Sequence, residues 1–280
     1  MRTLRRMGLS DVECVSLLQW ACPRLGLEWR GFRRVRKQVC KRIARRMEAL
    51  ELMTVANYRE RLLSVPAEWD ELAAACRVTI SRFYRDRVLF DALRFRFLPE
   101  LARCAVEDGR GLRCWSAGCC SGEEPYTLAL ILRLEVARQA PGLTFAIVAT
   151  DADPVVLERA RRACYPSSAL TELPKDWTST AFRREQGEWR LRAEYREGVC
   201  LVEQDLRAAL PAGPFDLILC RNLVYTYFAE SWRRTLTQAF AERLRRGGLL
   251  VLGKNEGLPE LLGLAEIDRR LPIFRRSSPS

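Results

Sequence analysis

A glycine-rich turn in the middle of the chain has the composition of a small-molecule binding loop. It has the sequence Ala117-Gly-Cys-Cys-Ser-Gly122 and lies between a short apolar run and a helical stretch. Gly118 and Gly122 allow the backbone to approach a ligand closely, and the N-terminus of the following helix offers N–H groups. The turn is not the GxGxxG fingerprint of dinucleotide-binding proteins, so by itself it indicates a ligand without naming one.

Two carboxylates, Glu123 and Glu124, directly follow this turn. A negative charge here would repel a pyrophosphate but suit a cationic ligand, which favours S-adenosylmethionine, with its ammonium and sulfonium groups, over NAD. The alternative is that both residues only stabilise the positive end of the following helix. From these two residues alone, both interpretations carry equal weight.

An acidic residue at the end of the second predicted strand strengthens the cofactor interpretation. This residue is Asp151, in the segment Ala149-Thr-Asp-Ala-Asp153. A carboxylate at this point can accept hydrogen bonds from both hydroxyl groups of an adenosine ribose, as the acidic residue of dinucleotide folds does. Its distance from the turn exceeds the usual ~20 residues because a long helix lies between them.

The chain has no histidine among its 280 residues. This excludes Ser-His-Asp and Cys-His catalysis, and it excludes histidine as a general base or metal ligand. The eleven cysteines are scattered, without a CxxC pair. We therefore expect no metal site, and we expect the cysteines to be reduced and mostly buried as small apolar residues.

The net charge of +12 is carried largely by arginine. It would attract an acidic partner such as nucleic acid, a membrane surface or an acidic protein; the alternative is charge spread over solvated faces. The apolar stretches are too short to span a bilayer, and the residues after Met1 lack the apolar core of a secretory signal. We therefore expect a cytoplasmic protein without stable membrane insertion.

The elements that must position these residues fall into two parts. The first 75 residues have helical periodicity, clearest over Phe32–Leu50, and from Leu112 onward short apolar runs alternate with helices. This alternation is typical of an α/β fold with a parallel sheet and helices on both faces, and residues 165–198 interrupt it as a small insert. The predicted strands are Leu112–Ala117, Phe145–Thr150, Val199–Glu203, Phe215–Cys220 and Leu249–Gly253, and the predicted helices are Glu123–Arg138, Pro154–Ala163 and Glu230–Arg245.

The chain resembles the chemotaxis-receptor protein-glutamate O-methyltransferases (CheR-type) from Leu9 to about Glu256. The segments that carry the resemblance are Thr79–Asp86, Trp115–Tyr126, Ala149–Asp153, Gly213–Asn222 with Tyr227-Phe228, and Gly247–Gly253. The resemblance implies a class I methyltransferase domain, a Rossmann-like doubly wound sheet, with a small N-terminal all-helical domain and a small inserted subdomain. The implied domains are residues 1–76, a linker with a cofactor-contacting loop and helix at 77–111, and the methyltransferase domain at 112–280, with the insert at about 165–198.

The resemblance also implies S-adenosyl-L-methionine as the cofactor. Thr79 and Asp205 each replace a family asparagine, and the segment after Asn222 is one residue longer than in the family. Tyr225 or Tyr227 could therefore stand nearest the methyl group, and the neighbouring Phe228 favours Tyr227. The implied cofactor-binding residues are Thr79, Ser81, Arg85, Gly118, Glu124, Asp151 at the ribose, and Asp205, Leu206, Arg221 and Asn222 at the adenine edge.

The implied reaction is an in-line displacement in which a substrate carboxylate, from a glutamate, attacks the sulfonium methyl group. A carboxylate is ionised at neutral pH, so no general base is needed and alignment supplies the catalysis. Arg85 and Tyr227 are the candidate catalytic residues, which would orient the carboxylate or cover the methyl group. The alternative is that both residues only pack around the cofactor.

A basic stretch at residues 33–46 indicates how a substrate could be bound. By the resemblance, Arg36, Lys37 and Arg42 would contact an acidic region of a receptor or signalling protein; an ordinary solvated helix face is the alternative. No aromatic-basic RNA motif is visible, which argues against nucleic acid as a partner. Two other functions stay open: O-methylation of a small carboxylic acid or another protein, and a sensor that binds the cofactor without turnover.

Overall fold

The computed structural model describes residues 9–277, which form two compact units. The larger unit comprises Thr79–Tyr225 and the chain from Arg233 onward. The smaller unit extends to Val78 and also contains Thr226–Trp232, so it includes one short segment from far along the sequence. Within residues 9–277, no helix combines the length and the apolar character that a membrane span needs.

The smaller unit is built from helices. Side chains cap two of them: Ser10 accepts a hydrogen bond from the N–H of Glu13, and Thr54 accepts one from the N–H of Asn57. The predicted helix Phe32–Leu50 is broken at Val35, whose backbone is not helical (φ −109°, ψ 1°). The helices are α1 Asp11–Ala21, α2 Trp29–Phe32, α3 Arg36–Ala49, α4 Val55–Ser64 and α5 Glu68–Cys76.

A disulfide joins α1 to α3 through Cys14 and Cys40, whose Cα atoms lie 5.8 Å apart. The expectation that the cysteines are reduced is wrong for this pair. The two residues are 26 positions apart in sequence, and only the packing of α1 against α3 brings them together. Cys14 lies in the core of this unit with Leu17 and Ile43.

The larger unit contains one large sheet, one small sheet and the remaining helices. Single π-helical turns at Leu93–Phe97 and Leu132–Val136 join α6 to α7 and α8 to α9. The helices are α6 Arg87–Ala92, α7 Leu98–Glu107, α8 Glu123–Ile131, α9 Ala137–Gln139, α10 Pro154–Arg162, α11 Lys175–Ala181, α12 Val224–Tyr227 and α13 Glu230–Arg243, the last two each crossing a boundary between the units. The strands are β1 Leu112–Ala117, β2 Phe145–Asp151, β3 Cys164–Tyr165, β4 Phe182–Glu185, β5 Glu188–Leu191, β6 Val199–Glu203, β7 Phe215–Cys220, β8 Leu244–Leu252, β9 Leu264–Glu266 and β10 Ile273–Arg276.

The large sheet has seven strands in the order β6-β2-β1-β7-β8-β10-β9. The five strands from β6 to β8 are parallel, and β10 is antiparallel to both of its neighbours. The predicted parallel α/β sheet is confirmed. The strand order reverses between β1 and β7, and in such sheets a ligand binds beyond the carboxyl ends of the strands at this point.

A second sheet of three antiparallel strands, in the order β3-β5-β4, lies between α10 and β6 in the sequence. Its strands and α11 form the inserted subdomain that the interrupted rhythm at 165–198 predicts. Phe182 and Leu191 of this subdomain are buried in the main hydrophobic core of the larger unit. The insert therefore packs on the core of the larger unit and is not a separate globule.

Candidate active site

The glycine-rich turn after β1 is fixed against the end of β2. The N–H groups of Gly118 and Cys119 donate to the carbonyl of Thr150 at 2.8 and 2.9 Å. The N–H of Cys120 donates to Oδ2 of Asp151 at 2.8 Å. Three successive backbone donors thus hold the turn beside the carboxyl end of the neighbouring strand.

Two positions in this turn require glycine. Gly118 and Gly122 have φ values of 81° and 90°, in the left-handed region that glycine adopts without strain. A Cβ on Gly118 would lie 2.4 Å from Cδ2 of Leu223, and one on Gly122 would lie 2.7 Å from the Tyr126 ring. A side chain at either position would therefore strain the backbone and force a neighbouring side chain to move.

Asp151 ends β2 with its carboxylate held by the backbone on both sides. Its Oδ2 accepts from Cys120, and its Oδ1 accepts from the N–H of Asp153 at 3.0 Å. Its carbonyl accepts from the N–H of Gln204, just after β6, at 2.8 Å. The carboxylate therefore stands where the carboxyl ends of β1, β2 and β6 meet, the position of the ribose ligand in doubly wound sheets.

Glu124, in the first turn of α8, is part of a buried ion pair. Its Oε2 accepts from Nη1 of Arg221 at 2.8 Å, and its Oε1 accepts from Oγ of Ser116 at 2.8 Å. Nη2 of Arg221 donates at 2.7 Å to both the carbonyl of Arg85 and Oδ2 of Asp86. Because the Arg221 side chain is only 3% exposed, these contacts form inside the protein.

The loop at Thr79–Asp86 is attached to α8 by its backbone. The N–H of Tyr84 donates to Oγ1 of Thr127 at 3.0 Å, and that hydroxyl donates to the carbonyl of Glu123 at 2.6 Å. Nη1 of Arg85 donates to the carbonyl of Ile80 at 2.9 Å, which closes the loop on itself. The structure therefore places the loop of Thr79, Ser81 and Arg85 beside the acidic start of α8.

Glu123 differs from its neighbour Glu124 although the sequence presents them as a pair. The Glu123 side chain is buried, and its Oε2 has no hydrogen-bond partner among the described residues. Burial raises the pKa of its carboxyl, and a hydrogen bond with Ser81 partly opposes this rise. Glu124 is thus ion-paired, whereas Glu123 is a desolvated carboxyl next to a predicted cofactor ligand.

The predicted adenine edge lies at the ends of β6 and β7. Leu206 is buried, and the carboxylate of Asp205 accepts hydrogen bonds from Arg207. Asn222 has a left-handed backbone (φ 54°), and its N–H donates to Oε2 of Glu256 at 2.8 Å. The same oxygen accepts from the N–H of Gly253 at 2.7 Å, so Glu256 joins the ends of β7 and β8.

Sequence reasoning missed Glu256, Ser116, Asp86 and Thr127 as parts of this arrangement. Ser116 and Asp86 lie within segments that carry the family resemblance, and Thr127 directly follows one of them. Their place in the sequence could therefore have pointed to them. Glu256 is 34 residues from Asn222 and stands in no motif. Only the adjacency of β7 and β8 reveals its role.

The two candidate tyrosines belong to different units. The hydroxyl of Tyr225 is hydrogen-bonded to Oγ1 of Thr237 at 3.0 Å in the larger unit, and burial raises the pKa of Tyr225. Tyr227 lies in the smaller unit, where its ring packs against Phe32 at a centroid distance of 5.1 Å. Tyr225 is buried and its hydroxyl is already hydrogen-bonded. That Tyr227 is the tyrosine nearest the methyl group stays a prediction.

Two of the three predicted substrate-binding cations have structural partners. Nε of Arg36 donates to both carboxylate oxygens of Asp11, at 3.0 and 3.1 Å, and Arg42 donates to the carbonyl of Arg77. Lys37 is exposed on α3. Lys41 and Arg45 follow it at intervals of four residues and are also exposed, opposite the buried Val39, Ile43 and Met47. We call Lys37, Lys41 and Arg45 the cation row.

The fold and the site together define a class of enzyme. A glycine turn after β1, an acidic residue at the end of β2 and an antiparallel strand near one edge of an otherwise parallel sheet are the features of a class I S-adenosylmethionine-dependent methyltransferase. The family model described as the CheR methyltransferase SAM-binding domain matches residues 79–267.

Known proteins of similar sequence support this assignment. The chain is 35% identical to the chemotaxis protein methyltransferase of Listeria monocytogenes over 234 residues, which cover 82% of this chain and 86% of that protein. It is 32% and 30% identical to the chemotaxis protein methyltransferases of Salmonella typhimurium and Escherichia coli, over 92% and 91% of this chain and 88% of each relative. The chain belongs to the CheR methyltransferase family and is an S-adenosylmethionine-dependent methyltransferase.

Proposed function

We propose that this protein methylates glutamate side chains of a chemotaxis-type receptor, or of a related signalling protein, and forms methyl esters. The observation that carries the proposal is the cation row of α3 in a chain whose relatives are named chemotaxis protein methyltransferases. Three exposed cations on one helix face suit an acidic protein surface, because complementary charge guides association and sets orientation.

The residues at the carboxyl ends of the strands fit S-adenosyl-L-methionine. Between Gly118 and Tyr126 the only charged side chains are Glu123 and Glu124, which suits a cationic ligand and not a phosphate. Asp151 would accept from the ribose hydroxyl groups and Glu124 would face the methionine or adenosyl group. The other proposed contacts are Thr79, Ser81, Arg85, Gly118, Asp205, Leu206, Asn222 and the backbone of Arg221.

When bound, the cofactor would supply an electrophilic methyl group. A carboxylate oxygen of the substrate would bond to this methyl group as the sulfonium–methyl bond breaks, with S-adenosylhomocysteine as the leaving group. A glutamate side chain has a reference pKa of about 4.3, so it is ionised at neutral pH and needs no general base from the protein. The protein's part is to align this carboxylate, and alignment can contribute roughly 7–11 kcal/mol. Arg85 and Tyr227 are the residues proposed to orient the carboxylate or cover the methyl group.

We assign these roles to the predicted domains. Residues 1–76 would form the helical domain that presents the cation row, residues 77–111 would be a linker with the cofactor-contacting loop and helix, and residues 112–280 would carry the methyltransferase fold with its insert at about 165–198. The reaction is proposed to take place in the cytoplasm, without a metal ion and without nucleic acid. The substrate would be the acidic region of the receptor.

Labelled-methyl transfer tests the reaction. The protein is incubated with methyl-labelled cofactor and the cytoplasmic domain of a receptor, and the product is treated with alkali. Release of labelled methanol is expected, because methyl esters hydrolyse in base. Base-stable label would contradict a methyl ester, and cofactor binding without any transfer would indicate a sensor.

Reversal of the cation row tests the substrate surface. Lys37→Glu, Lys41→Glu and Arg45→Glu together should lower kcat/KM for the receptor domain by about tenfold or more, since opposed charge slows association, while cofactor affinity stays the same. The matched control reverses three exposed arginines of the larger unit, Arg103, Arg269 and Arg270, for the same change in net charge. Equal losses in both variants would leave α3 as an ordinary solvated face.

A further inference from the structure

Asp205 lies two residues after β6, at the carboxyl end of the large sheet, and the residue before it is hydrogen-bonded to the proposed ribose ligand. Gln204, the residue before it, donates its N–H to the carbonyl of Asp151 at 2.8 Å. The Asp205 carbonyl accepts from the N–H groups of Ala208 and Ala209 at 3.0 and 3.1 Å, which makes a tight turn after β6. Asp205 is therefore fixed in place by the sheet on one side and by its own turn on the other.

Arg207 holds the Asp205 carboxylate with three donors. Its backbone N–H and its Nε donate to Oδ1 at 2.9 and 3.0 Å, and its Nη2 donates to Oδ2 at 2.7 Å. The fork of a guanidinium matches the two oxygens of a carboxylate, so the pair fixes the rotamer of Asp205 as well as its charge. The same hydrogen bonds raise the pKa of Arg207.

An ion-paired aspartate differs from an amide in what it can recognise. An ionised carboxylate only accepts hydrogen bonds, whereas an asparagine amide both donates and accepts. The amino group on the six-membered ring of adenine is a donor, and the corresponding oxygen of hypoxanthine is an acceptor. A carboxylate held at this position therefore attracts adenine and repels hypoxanthine, and an amide can turn over to satisfy either base.

We propose that Arg207 is a positioning residue that sets the base specificity of the cofactor site, by holding Asp205 as a fixed carboxylate acceptor for a purine amino group. The inference rests on the proposed placement of the adenine edge beside Asp205. Arg207 itself touches Asp205 and acts through it. The Asp205–Arg207 pair would occupy the position of an asparagine amide and would discriminate more strongly between adenine and hypoxanthine than the amide does.

Calorimetric binding of S-adenosylhomocysteine and of its inosine counterpart tests this role. Wild-type protein should bind the adenosine compound more tightly than the inosine compound. In Arg207→Gln the Asp205 carboxylate is no longer held in place, so its charge-assisted contact with the amino group is lost. The affinity for the adenosine compound should then fall by about tenfold, and the difference in affinity between the two compounds should become smaller. Arg207→Lys keeps the positive charge but loses the two-pronged guanidinium. Its affinity for the adenosine compound should lie between those of wild type and Arg207→Gln. Arg192→Gln, which removes an exposed arginine of the insert, is the matched control and should bind as wild type does.

A double variant separates positioning from general destabilisation. In an Asp205→Asn background, Arg207→Gln should have no further effect on affinity, since no carboxylate remains to be held. At saturating cofactor, kcat should be equal in wild type and Arg207→Gln, so that only KM for the cofactor rises. The inference would be overturned if Arg207→Gln kept the wild-type preference for the adenosine compound or lost affinity equally for both compounds. Binding by the wild type would still support the proposed function in that case. If the wild type bound neither compound, both the inference and the proposed function would be overturned.

Discussion

Arg221 and Glu124 form an ion pair at 2.8 Å although they are 97 residues apart in the sequence. Arg221 follows β7 and Glu124 lies in the first turn of α8, so the pair connects the two sides of the point where the strand order reverses. The Arg221 side chain is 3% exposed and also holds Asp86. The loop Thr79–Asp86, helix α8 and the end of β7 thus share one buried cation.

Loss of this cation should destabilise the protein. Arg221→Met leaves the Glu124 and Asp86 carboxylates without their buried partner, and we expect the free energy of unfolding to fall by about 3–5 kcal/mol. Urea unfolding measures this change. Arg269→Met, at an exposed position, should stay within about 0.5 kcal/mol of wild type. A fall of similar size in both variants would contradict a special role for Arg221.

Asp151 and Asp153 offer a matched pair for the ribose assignment. Asp151→Ala should weaken S-adenosylhomocysteine binding by about 100-fold, because two charge-assisted hydrogen bonds are lost. Asp153 accepts from the N–H of Val155 and caps α10, so Asp153→Ala should lower stability by about 1 kcal/mol and leave affinity unchanged. Calorimetry and thermal unfolding distinguish the two outcomes. Unchanged affinity in Asp151→Ala would refute the assignment.

The buried Glu123 carboxyl should make stability depend on pH. Its pKa in the folded protein is raised above the ordinary value of 4.5, so between these two pKa values the folded state binds more protons than the unfolded state. The contribution of Glu123 to the free energy of unfolding therefore falls as pH rises above about 4.5. The glutamine in Glu123→Gln cannot ionise, so this variant does not show that fall in the free energy of unfolding.

Unfolding of wild type and Glu123→Gln at a series of pH values from 4.5 upward checks this sign. The variant should gain stability relative to wild type as pH rises. Glu107→Gln, at an exposed position of α7, serves as the control and should follow wild type. Parallel curves for wild type and Glu123→Gln would show that the carboxyl is not desolvated in solution.

The Cys14–Cys40 disulfide should stabilise the smaller unit. For a loop of this length, closing the chain is worth about 3 kcal/mol, mainly through the unfolded state. Replacing both residues by alanine should lower the free energy of unfolding by that amount without reductant, whereas alanine at the exposed Cys104 and Cys200 should not. Thiol titration of denatured, unreduced protein should give nine reactive groups, and eleven would contradict the disulfide.

The parallel part of the sheet could be predicted because its strands are short apolar runs bounded by turns, and buried parallel strands have that pattern. Ile273–Arg276 could not be predicted in the same way, since two arginines occupy half of it. The break at Val35 was also hidden, because apolar residues continue at helical spacing on both sides of it. Periodicity reports which faces are apolar and says little about where a backbone turns.

By itself, the sequence indicated the fold class, because this depends on local patterns such as apolar runs and glycines in a turn. Its resemblance to a known family implied the methyl donor and predicted the segments that would bind it. The tertiary structure alone decided which of these residues act together. It paired Glu124 with Arg221, separated the desolvated Glu123 from its neighbour and joined Cys14 to Cys40. It also gave Arg36 and Arg42 partners within the smaller unit and placed Lys37, Lys41 and Arg45 along one exposed face of α3. The reason is physical: hydrogen bonds, ion pairs and burial depend on distances between residues far apart in the chain, and strand order and helix packing set those distances.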